Sequence, residues 1–100
     1  MIDYRLEIPP EVAEVIRHLP PELKRSVREA LRGLSRNPTA GEPLRRELDG
    51  LWKYRVRRYR VVYAIEARRR VLRILAVGPR VAIYERVAAT LQRASSKRNR

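Results

Sequence analysis

The sequence predicts an α+β domain, with helices packed on one mainly antiparallel sheet of about four strands in the order β-α-α-β-β-β-α. Three observations support this class. Apolar and polar residues alternate near the N-terminus and again after residue 51, apolar residues recur at helical spacing in between, and Pro pairs separate these stretches. A chain of 100 residues can bury one modest core, so we expect a single domain over residues 1–94 and a basic, flexible tail at 95–100.

The N-terminal part is predicted to form a strand and two helices. Residues 2–8 alternate up to Pro9-Pro10, which indicates a strand with one buried face. A short amphipathic helix follows, and the Pro pair at 20 and 21 ends it and opens a second helix that runs to about Arg36. Each helix has an apolar stripe, formed by Val12, Val15, Ile16 and Leu19 and then by Leu23, Val27, Ala30, Leu31 and Leu34.

Three strands and a last helix are predicted after a loop at residues 39–50, which holds a short extended piece at 44–48. A tight turn or a bulge is expected at Arg58-Tyr59, because alternation resumes there and lasts to Ile65. Residues 66–70 form a charged turn, and residues 71–77 indicate a central strand that Gly78-Pro79 ends. Residues 83–94 show helical spacing. The first of the three strands alternates between two sides, with Trp52, Tyr54 and Val56 against Lys53, Arg55 and Arg57.

The composition excludes several kinds of site. The absence of cysteine excludes disulfides, thiol catalysis and cysteine-based zinc sites. His18, expected at the surface where the first helix ends, is the one histidine, which excludes a His-centred triad. The first residues lack a signal-peptide core, and no apolar run approaches the length of about eighteen residues that a membrane span needs. We expect a cytoplasmic protein that uses no metal and no cofactor.

The net charge of +13 is unevenly distributed. Residues 41–100 hold 17 cations and 5 acids, whereas residues 1–40 hold 7 and 6. A field of this sign attracts polyanions and makes binding salt-dependent. Nucleic acid is the leading partner class, ahead of an anionic membrane surface, and an acidic protein is compatible with either. Arg supplies 21 of the 24 cations. This excess of arginine is explained by phosphate recognition or, equally well, by GC-rich codon usage or heat adaptation.

Cations from separate strands are predicted to converge on one concave side of the sheet. The set comprises Lys53, Arg55 and Arg57 on one strand, about 7 Å apart, Arg60 on the next, and Arg80 just beyond the central strand. Small apolar neighbours on its strand suggest that Arg60 is partly enclosed and needs a partner. The alternative is a solvated cationic face that binds nothing in particular.

These residue types suit the cleavage of an RNA phosphodiester. Arginine keeps its proton, so Arg55, Arg60 and Arg80 would clamp phosphate oxygens or neutralise developing charge. Lys53 lies among like charges that favour its neutral form, which makes it a candidate acceptor for the proton of an attacking 2′-hydroxyl. Glu42, in the preceding loop, is the competing base, and the reaction needs no metal.

The aromatic residues have different expected roles. Tyr84 either stacks on an unpaired base or packs in the core with the apolar stripe of the last helix. The others alternate with the cations and are expected in the core, and they are Trp52, Tyr54, Tyr59 and Tyr63.

Four segments carry a family likeness: LDGLWKYRV at 48–56, YRVVY at 59–63, VGPR at 77–80 and IY at 83–84. Together they resemble the RelE/ParE toxin superfamily of bacterial and archaeal toxin-antitoxin systems, and the order of elements agrees over nearly the whole chain. RelE-like toxins enter the ribosomal A site and cut the mRNA there, leaving a 2′,3′-cyclic phosphate. The resemblance therefore implies a metal-independent endoribonuclease that inhibits translation.

The resemblance also implies a role for each matching residue. Lys53 matches a basic residue proposed as general base, and Arg60 matches the arginine that stabilises the scissile phosphate. Arg80 matches an arginine proposed as general acid or leaving-group stabiliser, and Tyr84 matches the tyrosine that stacks on a base. Glu42, followed by Pro and Leu, reproduces the context of the glutamate base of YoeB-type toxins. The positions expected to bind substrate are Arg55, Arg57 and Arg58.

Two departures from the family pattern shift the expected chemistry. Pro79 stands where many relatives have His, which removes one candidate acid. Arg55 stands where a second lysine is common, so more depends on Lys53 or Glu42. The ParE branch shares the fold, inhibits DNA gyrase and lacks this cationic set, so the retained arginines and tyrosine favour RelE. A non-catalytic RNA-binding relative is a third interpretation.

The implied partners are the ribosome, mRNA and a cognate antitoxin in a toxin-antitoxin hetero-oligomer, with no membrane. We expect the antitoxin to lay an acidic or amphipathic segment over the cationic surface.

Overall fold

The computed structural model describes residues 3–79, 83–85, 87–89 and 91 and confirms the α+β fold. Two 3-10 turns occur at Pro38–Ala40 and Arg46–Leu48. The rest of the predicted last helix and the tail at 95–100 lie outside the described residues. The elements in chain order are β1 (Arg5–Glu7), α1 (Pro10–Arg17), α2 (Pro21–Arg36), β2 (Glu42–Pro43), β3 (Trp52–Val56), β4 (Tyr59–Glu66), β5 (Val71–Pro79) and α3, to which the helical residues 83–85, 87–89 and 91 belong.

Prolines begin both N-terminal helices. Pro10 and Pro21 occupy the first helical positions, where the missing amide hydrogen leaves no bond unmade. α2 ends at Arg36, as predicted, because the residue before Pro38 is pushed out of the helical region. α1 ends with His18 as its exposed C-cap, also as predicted.

Five strands form one mixed sheet in the order β1-β5-β4-β3-β2. β1 runs parallel to β5, and the other neighbours are antiparallel. The two-residue β2 is the strand beyond the four expected. β4 and β5 have paired neighbours and are covered on both faces, which accounts for consecutive buried residues such as Val61 and Val62.

The two faces of the sheet are covered unequally. α1 and α2 cover one face, where a core cluster includes Tyr63 and packs against Trp52, Tyr54 and Tyr59, as predicted for these aromatics. The opposite face, called the α3 face below, carries a smaller cluster formed by Leu51, Val62, Ala76, Ile83 and Val87.

The extended piece predicted at residues 44–48 is wrong. Extended pairing occurs earlier, at Glu42–Pro43, and residues Arg46–Leu48 form a 3-10 turn instead. The Leu44 amide donates to the Leu51 carbonyl oxygen at 2.8 Å, and the chain turns back between these two residues to begin β3.

The predicted position of the β3–β4 turn is also wrong by one residue. Val56 pairs with Tyr59, so the turn consists of Arg57 and Arg58, and Arg57 does not belong to β3. Beside this turn β5 continues through Gly78 to Pro79, since both pair with β4, whereas these two residues were predicted to end the strand.

Candidate active site

Strand alternation places three cations on the α3 face. Lys53 and Arg55 lie on β3, and Arg60 on β4 is directly opposite Arg55. Directly opposite residues of an antiparallel pair share a face, with Cβ atoms about 5 Å apart. The two guanidinium groups carry like charges and repel each other where they approach, so the Arg55–Arg60 pair requires a compensating interaction.

The turn supplies part of this compensation. The Arg57 carbonyl oxygen accepts hydrogen bonds from Arg55 Nε at 3.3 Å and from Arg60 Nη1 at 3.4 Å, and Arg60 Nη1 also donates to the Tyr59 carbonyl oxygen at 3.1 Å. Arg57 has a φ of 56°, a left-handed conformation that costs a non-glycine residue about 1–2 kcal/mol. The turn therefore holds two guanidinium groups beside one carbonyl at some conformational cost.

Four arginines line an open concavity of about 460 Å³ at this end of the sheet: Arg55, Arg57, Arg58 and Arg60. Arg60 is half-buried, as predicted, and the other three are exposed. Among the side chains that the structure describes, no carboxylate oxygen lies within 4.0 Å of their guanidinium nitrogens. The concavity thus carries positive charge that would attract an anion.

The predicted site residues are brought together in part. Lys53 and Arg60 lie on the same face, and Lys53 is two residues along β3 from Arg55, about 7 Å away. Arg57 was predicted to share the β3 face, which is wrong because it lies in the turn, yet it lines the same concavity. Arg80 lies outside the described residues.

The other end of the α3 face holds an arginine of a different kind. Arg73 on β5 is opposite Ala64 in the β4–β5 pairing. Its Nε lies 3.2 Å from Glu7 Oε1 and its Nη2 lies 2.5 Å from Glu66 Oε2. These contacts link three strands and neutralise the guanidinium, so this arginine has a structural role.

Glu42 and Lys53 are cross-strand partners. β2 pairs with β3 so that Glu42 is opposite Lys53, which places both candidate bases on one face. Glu42 is exposed and Lys53 is half-buried. The two residues are therefore in reach of the same ligand, and no ion pair joins them.

The sequence analysis missed a contact between the Tyr63 hydroxyl and the loop before β2, where Pro38 and Gly41 lie. The Tyr63 hydroxyl donates to the Pro38 carbonyl oxygen at 2.6 Å, and Gly41 lies directly against the same hydroxyl. Burial raises the pKa of the Tyr63 phenol above its usual value, the Gly41 backbone opposes this shift, and nearby Tyr54 adds to it. The alternation pattern gave the ring a core position but contains no signal for the contact of the hydroxyl with a loop 25 residues earlier.

Tyr84 lies on α3 and is half-buried against the cluster of the α3 face. That cluster contains Val62, the cross-strand partner of Lys53. Tyr84 thus packs against the core, as one of its two predicted roles requires, and the residue stays half-exposed.

The described residues contain neither a candidate metal site nor a candidate membrane-spanning helix. No group of three or more His, Cys, Asp or Glu side chains there could hold a metal ion. No described helix has the length and apolar character needed to cross a membrane.

A family profile matches most of the chain. The profile of the ParE toxin of type II toxin-antitoxin systems, parDE, covers residues 10–84. A comparison with curated proteins finds no significant match.

Solved structures with the same fold include three toxins. The RelBE2 toxin-antitoxin complex from Mycobacterium tuberculosis matches with 35% identity and a TM-score of 0.71, covering 80% of this chain and 94% of that one. The archaeal RelE-RelB complex from Pyrococcus horikoshii matches with 26% identity and a TM-score of 0.67, covering 80% of this chain and 98% of that one. The isolated E. coli RelE toxin shares the fold, with 21% identity and a TM-score of 0.67, and the match covers 88% of this chain and 98% of that one.

Proposed function

This chain belongs to the ParE toxin family of type II toxin-antitoxin systems, within the RelE/ParE superfamily, and from that premise we propose that it is a ribosome-dependent endoribonuclease that cuts mRNA in the A site. One observation carries the proposal: the arginine concavity has no neutralising carboxylate among the described side chains and lies beside Lys53 on one face. RelE-type toxins, which the sequence resembles, use a cationic set of this kind on RNA.

The concavity suits the phosphates that flank the scissile bond. Guanidinium groups bind phosphate oxygens through paired, charge-assisted hydrogen bonds. Arg55, Arg57 and Arg58 are exposed and would hold the RNA backbone, while the half-buried Arg60 would face the scissile phosphate. Arg60 is tied to two main-chain carbonyl oxygens, so little reorganisation is needed when negative charge develops there.

The proposed chemistry is an internal transesterification. The 2′-oxygen attacks phosphorus, the bond to the 5′-oxygen breaks, and a 2′,3′-cyclic phosphate and a 5′-hydroxyl result. Lys53 or Glu42 would accept the 2′-hydroxyl proton, Arg60 would stabilise charge on the phosphoryl oxygens, and Arg80 would stabilise or protonate the leaving oxygen. The exposed part of Tyr84 would stack on a neighbouring base.

The partner that controls this activity is proposed to be an antitoxin. Two of the similar structures are complexes of a toxin with its antitoxin. A segment with carboxylates placed over the arginine concavity would supply the counter-charges that the described side chains lack there. Such a segment would block RNA by occupying the same guanidinium groups.

Primer extension on a translated message tests the proposal. The purified chain should produce breaks inside the codon held in the A site, and only when ribosomes translate that message. Lys53→Ala and Arg80→Ala should reduce the breaks and relieve growth arrest on expression. Arg68→Ala, which removes the same charge from the exposed β4–β5 turn, is the matched control. Equal toxicity of the two site variants and the control would contradict the assigned site.

Inhibition of DNA gyrase is the second candidate function, because the matching family profile is that of the ParE toxin. Supercoiling assays with purified gyrase separate the two. Inhibition of supercoiling without cleavage of a translated message would select gyrase, and the reverse result would select the ribonuclease.

A further inference from the structure

We infer that Tyr63 is a positioning residue that holds Glu42 opposite Lys53 through its hydroxyl group. The contact, called the Tyr63 latch below, consists of the hydrogen bond from the Tyr63 hydroxyl to the Pro38 carbonyl oxygen and the close packing of Gly41 against that hydroxyl. The inference rests on the proposed function, since it concerns the presentation of a candidate base.

The hydroxyl serves the loop rather than the core. The Tyr63 ring is fully buried and stacks on Trp52, with ring centroids 6.4 Å apart. A phenylalanine would fill the same space, whereas a buried hydroxyl is unfavourable unless it is hydrogen-bonded. This hydroxyl is directed to the segment that connects α2 to β2, where it donates to the Pro38 carbonyl oxygen and lies against Gly41.

β2 has little means of holding itself in place. It has two residues, and the second, Pro43, has no amide hydrogen to donate. On its C-terminal side the Leu44 amide donates to the Leu51 carbonyl oxygen. On its N-terminal side the Tyr63 latch is the fixed point, so the latch decides whether Glu42 stays in register with Lys53.

Gly41 shows how closely the loop approaches β3. A Cβ atom built on Gly41 would fall 2.5 Å from the Tyr63 hydroxyl oxygen and closer still to the Lys53 carbonyl oxygen. Gly41 has a φ of −82°, which any residue can adopt, so the requirement is for space. Glycine thus allows the latch to close and allows the loop to lie against the backbone of Lys53, the residue that Glu42 faces.

A double-mutant cycle tests the inference on purified full-length protein. Tyr63→Phe keeps the ring and removes the latch. Single-turnover cleavage of a translated message should fall by about tenfold, as expected for a lost hydrogen bond at a buried hydroxyl. In a Glu42→Gln background the same change should reduce cleavage by less than about twofold, because the group being positioned is already gone. Tyr54→Phe removes a hydroxyl from β3 on the same face of the sheet as Tyr63, and it should leave cleavage unchanged.

Hydrogen exchange gives a readout independent of RNA. Tyr63→Phe and Gly41→Ala should each speed amide exchange across residues 40–44 by about tenfold, while α2 and β4 keep their protection. Tyr54→Phe should leave exchange across residues 40–44 unchanged.

The outcomes separate the latch from the proposed function. Cleavage that falls equally in both backgrounds would assign Tyr63 to general stability and overturn the inference, as would unchanged cleavage or unchanged exchange in Tyr63→Phe. If the unmodified chain cuts no translated message, the proposed function fails first. Faster exchange in that case would show a latch that supports structure alone, and the positioning role would be withdrawn.

Discussion

The two ends of the α3 face use arginine in opposite ways. Arg73 is held between Glu7 and Glu66 and links β1, β5 and β4. Arg55 and Arg60 face each other across β3 and β4 with main-chain carbonyl groups as their described partners. Among the described side chains, arginine on this face has carboxylate partners at one end and none at the other.

The difference is between charge that is compensated within the fold and charge that the described side chains leave available to a ligand. A guanidinium group between two carboxylates already has its counter-ions and offers little to a ligand. A pair of arginines that repel each other gains most when an anion binds, because the anion removes the repulsion as well as adding its own hydrogen bonds. A net charge of +13 therefore says less about function than the distribution of carboxylates around each arginine.

Replacing Arg60 should have the largest effect. We expect Arg60→Ala to lower single-turnover cleavage by about 100- to 1000-fold, the loss typical of a removed transition-state donor. The free energy of unfolding should change by less than about 0.5 kcal/mol, since a repelling charge leaves with its hydrogen bonds. Urea unfolding provides the second measurement. A large loss of stability with cleavage intact would place Arg60 in the same class as Arg73.

The salt dependence of RNA binding should distinguish the exposed arginines of the concavity from arginines elsewhere on the surface. Single alanine substitutions of Arg55, Arg57 or Arg58 should each reduce the slope of log affinity against log salt by about 0.7 for a single-stranded RNA whose reactive 2′-hydroxyl is methylated. Affinity at low salt should fall by up to about tenfold. Arg68→Ala is the control, and an equal change of slope for it would mean that charge alone, without the concavity, governs binding.

Arg73→Ala should show the reverse pattern from Arg60→Ala. The substitution leaves Glu7 and Glu66 without their shared cation, and we expect the free energy of unfolding to fall by about 1 kcal/mol, because the partners are partly exposed. Cleavage per folded molecule should not change. Loss of cleavage in a fully folded Arg73→Ala protein would remove the distinction between the two ends.

Arg57→Gly should have the smallest effect. Glycine adopts positive φ without strain but loses more entropy on folding, so we expect stability to rise by about 0.5 kcal/mol. The carbonyl that orders Arg55 and Arg60 remains, so cleavage should fall only as far as one lost phosphate contact requires. Arg57→Ala, which keeps the strain, should be less stable than Arg57→Gly when both are compared by thermal unfolding.

Local sequence patterns predicted the elements that local chemistry determines. α2 was predicted to its last residue because Pro21 begins it and Asn37 precedes a proline. The division of β3 and β4 into an aromatic side and a cationic side followed from a period of two.

Contacts between distant segments could not be predicted in this way. The Tyr63 latch joins residues 25 positions apart, and the pairing of Arg73 with Glu7 depends on the parallel alignment of β1 with β5. No periodicity signals either contact. The position of β2 was missed for the same reason, because two residues with one proline form a strand only when the rest of the sheet is present to bind them.

The two-residue turn at Arg57 and Arg58 also limits how this protein can change over time. Sliding β3 by a single residue against β4 would send Lys53 into the apolar layer beneath α2 and Trp52 into water. A folded descendant with that slipped register is therefore disfavoured. Selection acting on fold integrity would by itself preserve the side of the sheet to which the cations project.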